Sequence, residues 1–131
     1  MTTPSPLEVA QQAYAAFGSG DLAALGALLS PDTHWQVGDV RPLNGDYHGP
    51  DEVFGGFLGP LMELTGGSLR LEVHDVMASD KHAAALVHET GERDGRTLDG
   101  WVTHVMQVTD GKITRFWAST SDPDHLAFWA E

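Results

Sequence analysis

The chain has no cysteine, which excludes a disulfide frame, thiolate chemistry and a cysteine-based zinc site. Basic residues are scarce: seven Lys and Arg face nineteen Asp and Glu, for a formal net charge of −12. A surface of that sign repels phosphate backbones and anionic lipid heads, so neither nucleic acid nor membrane is expected as a partner. Long hydrophobic runs are missing too. The opening MTTPSPLEVAQQ has no apolar stretch that would act as a signal peptide, and no segment reads as a membrane span. A cytoplasmic protein is the expectation. There are no repeats, linkers or low-complexity segments, and 131 residues suit a single domain over 1–131.

What is present is a change of period. Ser5-Pro6-Leu7-Glu8 has the cap, proline and acid of a helix start, and Leu7, Ala10, Tyr14 and Phe17 then recur at helical spacing up to Gly18. Asp21 caps a second short helix with Leu22, Leu25, Leu28 and Leu29 inward, ended by Ser30-Pro31. Thr33 to Val37 reads as a strand with Trp35 and Val37 on one face and His34 and Gln36 on the other. Residues 38–50 read as a loop. A third helix opens at Pro50-Asp51-Glu52 with Val53, Phe54, Phe57 and Leu58 as its stripe, and Gly59-Pro60 is expected to break it. From Leu69 the period is two. Strands are expected near 69–78, 82–92, 96–108 and 112–120, joined at Ser79-Asp80, Asp94-Gly95 and Asp110-Gly111. Asp122-Pro123 caps a last short helix carrying Leu126, Phe128 and Trp129. Helices followed by an antiparallel meander make the fold class α+β.

The turns decide which side chains share a face. A two-residue loop at Asp94-Gly95 would set Arg93 against Arg96, like charges opposite each other, whereas a three-residue loop pairs Glu92 with Arg96. The three-residue loop is the expectation there and, by analogy, at Asp110-Gly111. Counting back puts Leu86, His88, Thr90, Leu98, Val102, His104, Met106, Phe116 and Ala118 on one face. Val87, Glu89, Trp101, Thr103, Val105, Ile113, Arg115 and Trp117 fall on the other. The first face is the expected wall of a pocket. The second is too apolar for water, and a homodimer through Trp101, Val105 and Trp117 is expected.

Five ordered segments, AYAAFGSGDLAALGALLSPDTHW, PLNGDYHGPDEV, LEVHDVMASDKHAAALV, THVMQVTDGKITRFW and LAFWA, make the chain resemble the SnoaL-like branch of the NTF2-like superfamily. The resemblance runs from Glu8 to Trp129 and implies a cone: a curved, mostly antiparallel sheet wrapped around N-terminal helices, an apolar cavity, a short C-terminal helix and usually a homodimer. Ketosteroid isomerases, polyketide cyclases, epoxide hydrolases, dehydratases and silent binding proteins share that fold, so fold alone does not name a reaction. The isomerase tyrosine aligns with Ala13, one position before Tyr14, and its aspartate base with Val37. The acid that many relatives carry on the last strand aligns with Ala118, and the epoxide hydrolases' Arg-x-Asp pair with His88 and Thr90.

Among individual residues, His104 is the candidate general acid or base, since an imidazole titrates near neutrality. The other reading of it is a structural histidine bonded to a neighbouring element. His88 shares its expected face roughly 13 Å along the strand, as a second catalytic candidate able to polarise an oxygen. Tyr14, Phe17, Trp35, Tyr47, Phe54, Phe57, Met62, Val102, Met106 and Phe116 are the expected ligand-binding residues, and core packing would use the same side chains. No HExxH occurs, and no pair among the seven histidines sits with a carboxylate at helical i, i+4 spacing, so neither metal nor cofactor is expected. The expected function is binding of a small, largely apolar, oxygenated molecule, with acid–base isomerisation, cyclisation or dehydration as its chemistry. The alternative is a non-catalytic binding or dimerisation module.

Overall fold

The computed structural model describes residues 3–130. Helix α1 (Pro6–Ser19) starts with both halves of a capping box, Glu8 N–H to Ser5 Oγ and Ser5 N–H to Glu8 Oε1. It ends at Gly20 with φ +74°, two residues beyond the stop expected at Gly18, because only there does a left-handed residue return its N–H to the last turn. Helix α2 (Leu22–Ala27) is capped by Asp21 as expected. Leu25 faces inward, while Leu22 is exposed. Strand β1 (Leu29–Val37) buries Thr33, Trp35 and Val37.

The segment expected to be loop carries a short 3₁₀ turn (Arg41–Leu43) and strand β2 (Gly45–His48), which pairs antiparallel with β1 at Trp35 and Tyr47. Its pairing supplies backbone partners that its turn-rich composition does not advertise. The expected break at Gly59-Pro60 is also corrected. Helix α3 (Gly49–Glu52) runs into a π-helical turn (Val53–Leu58) and on into helix α4 (Gly59–Leu64). Gly59 N–H bonds to Phe54 C=O five residues back, so the wider turn carries the path past Pro60, which has no N–H to lose.

Strands β3 (Arg70–Ala78), β4 (His82–Arg93), β5 (Arg96–Thr109) and β6 (Lys112–Ser119) match the meander in extent, and α5 (Pro123–Phe128) follows with Asp122 as its cap. Among the described residues one mixed sheet results, in the order β2-β1-β6-β5-β4-β3, with only β1–β6 parallel. It curves around α1 and the α3–α4 path, and the core lies between them. Among the described residues no helix is long and apolar enough to cross a membrane.

The hairpin registers differ from the expectation. At the β4–β5 turn Arg93 pairs with Arg96 across a two-residue loop whose Asp94 (φ 49°) and Gly95 (φ 78°) are both left-handed. The repulsion that argued against this pairing is answered from a distant part of the chain. Both guanidinium groups donate to the Phe128 carbonyl, at 3.1 and 3.2 Å, and Arg96 also to that of Ala130. The Phe128 carbonyl is at the C-terminal end of α5, and that of Ala130 lies two residues beyond it. The register is thereby one residue from the expected one, and every β4 side chain changes face. Leu86, His88 and Thr90 point outward, while Ala85, Val87 and Glu89 are inside.

At the β5–β6 turn the loop is again two residues, Thr109 pairing with Lys112. A bulge between Gln107 and Val108 then adds a second one-residue step. The two steps cancel for the rest of the hairpin, so His104, Met106, Phe116 and Ala118 share the inner face as expected. Ile113, before the bulge, is buried rather than outward.

Candidate active site

An apolar cavity of about 70 Å³ lies between the helices and the inner face of the sheet. Its walls include Phe17, Trp35, Phe57, Leu61, Met106 and Phe116. Trp35 and Phe116, paired across the parallel strands, stack with ring centroids 4.1 Å apart. At one end the lining turns polar, with Tyr14, Asp39, Glu89 and His104.

Each polar group arrives from a different element. Tyr14 is on α1, and its hydroxyl lies 2.7 Å from His104 Nδ1 on β5. Burial raises the phenol above its ordinary range, so it keeps its proton and donates to Nδ1. That leaves the imidazole proton on Nε2, which lies 4.0 Å from Asp39 Oδ2. Burial, then the neighbouring His125, pushes His104 down to about 3, so it is neutral at ordinary pH. Asp39 lies two residues beyond the end of β1. It continues the inward alternation of Trp35 and Val37, and its carboxyl is pushed up to about 6 by burial. Glu89 ends the β4 series Ala83, Ala85, Val87 and is 5% exposed. Burial, then the charge of Asp39, pushes it up to about 8.

Behind these groups stands His125 of α5, wholly buried. Its Nε2–H donates to the Asp39 carbonyl at 2.8 Å, and its Nδ1 lies 3.6 Å from Glu89 Oε1. Room for it comes from Gly100, which pairs with Glu89 across the β4–β5 ladder. A Cβ there would sit 2.9 Å from His125 Cβ.

Of the expected ligand-binding residues, Tyr14, Phe17, Trp35, Phe57, Met106 and Phe116 line the cavity, with His104. Four do not. The Tyr47 hydroxyl donates to Leu43 C=O and its ring packs on Phe57. Phe54 turns towards α2, its ring 3.3 Å from a Cβ built at Gly26. Met62 packs on the outer side of the core, and Val102 joins Ala85 and Val87 in a separate small cluster. His88 lies on the convex face, stacked on Trp101 and bonded to Asp99 at 2.5 Å, because of the one-residue register difference.

Asp39, Glu89 and His125 were missed as site residues. Their signals were a carboxylate two residues beyond Val37 in the inward alternation, and another at the end of an apolar stripe. The third was a histidine three and four residues before the buried Phe128 and Trp129.

The sheet order, the curvature and the cavity end define an NTF2-like cone. The chain belongs to the SnoaL-like domain family, whose match spans residues 10–116. An uncharacterised protein of Mycobacterium tuberculosis is 30% identical over 132 residues, covering 99% of this chain and 100% of that protein. A Xanthomonas campestris protein of unknown function with a cystatin-like fold superposes with TM-score 0.86 at 28% identity, covering 98% and 100% of the two chains. An NTF2-like protein of unknown function from Burkholderia pseudomallei gives TM-score 0.85 at 22% identity with full coverage of both. TerC, co-crystallised with polyporic acid, shares the fold with TM-score 0.79 at 21% identity over 88% and 91%.

Proposed function

We propose that the chain binds a small, largely apolar, oxygenated molecule in the cone and moves a proton on carbon beside a carbonyl, giving isomerisation, cyclisation or dehydration. The observation that carries this reading is a pair of carboxyl groups of unequal acidity, Asp39 and Glu89, lining one apolar cavity. Two titratable groups pushed to different values by their surroundings are what base and acid require. Above about pH 6 Asp39 is the carboxylate that takes the proton from carbon, while below about 8 Glu89 keeps the proton it offers to the oxygen. The Nε2–H of His104, oriented through Tyr14, is a second donor to the developing oxyanion. His104 therefore acts as a neutral donor in this scheme and Asp39 as the base. The co-crystallisation of TerC with polyporic acid supports a ligand in this fold.

At about 70 Å³ the cavity is smaller than the roughly 150 Å³ that accepts benzene. A ring-sized ligand therefore has to move a wall of the cavity.

The test is deuterium uptake at the carbon beside the carbonyl of small cyclic enones and 1,3-diketones, followed by NMR with EDTA present. Wild type should exchange these protons, and Asp39→Asn should stop the exchange while ligand binding persists. A second reading, a binding module, is favoured by the buried apolar residues Val37 and Ala118, the positions at which the resemblance implies acids. Wild-type binding without exchange would establish it.

We also propose a homodimer through the convex face, where Leu86, Trp101 and Met77 are 38–50% exposed and Val105 and Trp117 continue the apolar surface.

A further inference from the structure

We infer that Asp39, Glu89 and His125 form a binding site for one divalent transition-metal cation, of the zinc, manganese, iron(II) or cobalt(II) class. These residues come from the end of β1, from β4 and from α5, so no sequence spacing announces them. They are 4%, 5% and 0% exposed, and one ligating atom from each lies within 4.8 Å of the other two. The 3.6 Å between His125 Nδ1 and Glu89 Oε1 is too long for a hydrogen bond. It is close to the ligand–ligand edge of roughly 3.0–3.5 Å set by bonds of about 2.1 Å to a shared ion.

Two further observations point to a ligand. His125 Nδ1 and Asp39 Oδ1 are both buried without a hydrogen-bond partner. A buried lone pair left bare is unfavourable unless something completes it. His125 is also oriented as a metal-binding imidazole is, because its other nitrogen donates to the Asp39 carbonyl at 2.8 Å and leaves Nδ1 as the free lone pair. Gly100 admits that ring to the interior.

The donor set selects the ion. Two carboxylates balance a divalent charge in a buried site, and an imidazole with no thiolate suits the borderline first-row metals better than calcium or magnesium. His104 Nε2, 4.0 Å from Asp39 Oδ2, carries the imidazole proton and is therefore not counted among the ligands. The site shares both carboxylates with the proposed acid–base pair, so cation and transferable proton exclude one another there. The inference does not depend on that catalytic reading.

The experiment is titration of the EDTA-stripped full chain with Co²⁺ alone, followed by visible absorption and calorimetry, with the melting temperature recorded in parallel. Wild type should take up one Co²⁺ with ligand-field bands of mixed nitrogen and oxygen ligation, and should melt higher. Glu89→Gln and His125→Gln should each lose at least the 10–100-fold in affinity typical of losing even an outer-shell partner. Glu89→Gln keeps the shape of the side chain, and its circular dichroism establishes that it is folded. At a net charge of −12 the surface also attracts cations, and the two variants separate that background from the site. Uptake unchanged in both variants, or no uptake by wild type at millimolar Co²⁺, would overturn the site. Because proton exchange is assayed with EDTA present, cobalt binding without exchange rejects only the acid–base reading, and exchange without cobalt binding rejects only the metal site.

Discussion

Replacing Glu89 with Gln should make the protein's stability less sensitive to rising pH. Glu89 is buried on β4 and its carboxyl is raised from 4.5 to about 8, first by burial and then by the charge of Asp39. The folded state therefore holds a proton that the unfolded chain releases above its own value. Between about pH 4.5 and 8 the native state binds more protons than the unfolded state, so stability falls as pH rises through that window. At about 1.4 kcal/mol for each tenfold difference in proton affinity, the loss reaches about 5 kcal/mol once Glu89 is ionised. Relaxation and water entry around the new charge lower this, and a net loss of about 2–5 kcal/mol is expected. Gln has nearly the shape of the protonated acid and cannot ionise. Glu89→Gln should thus resemble wild type near pH 4.5, exceed it increasingly up to about pH 8 and keep a constant margin above that. Urea denaturation at half-unit pH steps, with EDTA present, measures this. The Asp39 contribution, in the same direction but complete by about pH 6, remains in both proteins. Parallel stability curves for the two proteins would show that Glu89 is ionised in the fold at little cost, and would refute the burial argument.

Other substitutions probe the packing that builds the site and the surface. Gly100→Ala places a methyl 2.9 Å from His125 Cβ and 3.3 Å from its backbone N and Cα, so α5 has to shift. A loss of about 1–3 kcal/mol is expected in urea denaturation, and a change below about 0.5 kcal/mol would mean that α5 is not held against β5 as described. Trp101→Glu introduces a charge at an exposed position of the convex face and should leave the fold intact while giving a monomer on size-exclusion chromatography. Elution unchanged from a wild-type dimer would move the interface elsewhere.

Much of the fold can be read without coordinates because its signals are local. The Ser5–Glu8 box, the Asp21 and Asp122 caps, and the period-two runs from Arg70 to Ser119 depend on residues a few positions apart. Face assignment is less secure for a physical reason: one residue of register inverts it. In the β5–β6 hairpin a second one-residue step at the bulge restored the parity, so His104 and Phe116 stayed inside. In the β4–β5 hairpin nothing restored it, so Glu89 replaced His88 on the inner face.

The Thr97–Thr120 stretch shows where local information runs out. Alternation and the Asp-Gly turn suffice to make it a hairpin with His104, Met106 and Phe116 on the cavity side. The sequence also suffices for an acidic, cysteine-free α+β chain of the SnoaL-like family. The turn at Asp94-Gly95 depended on the Phe128 carbonyl of α5, which accepts from both guanidinium groups and offsets an Arg93–Arg96 repulsion that looks prohibitive in isolation. The polar end of the cavity depended on tertiary packing too. Asp39, Glu89, His104 and His125 lie far apart in the chain, and only burial together shifts their proton affinities. Periodicity acts between neighbours, whereas desolvation belongs to the whole fold.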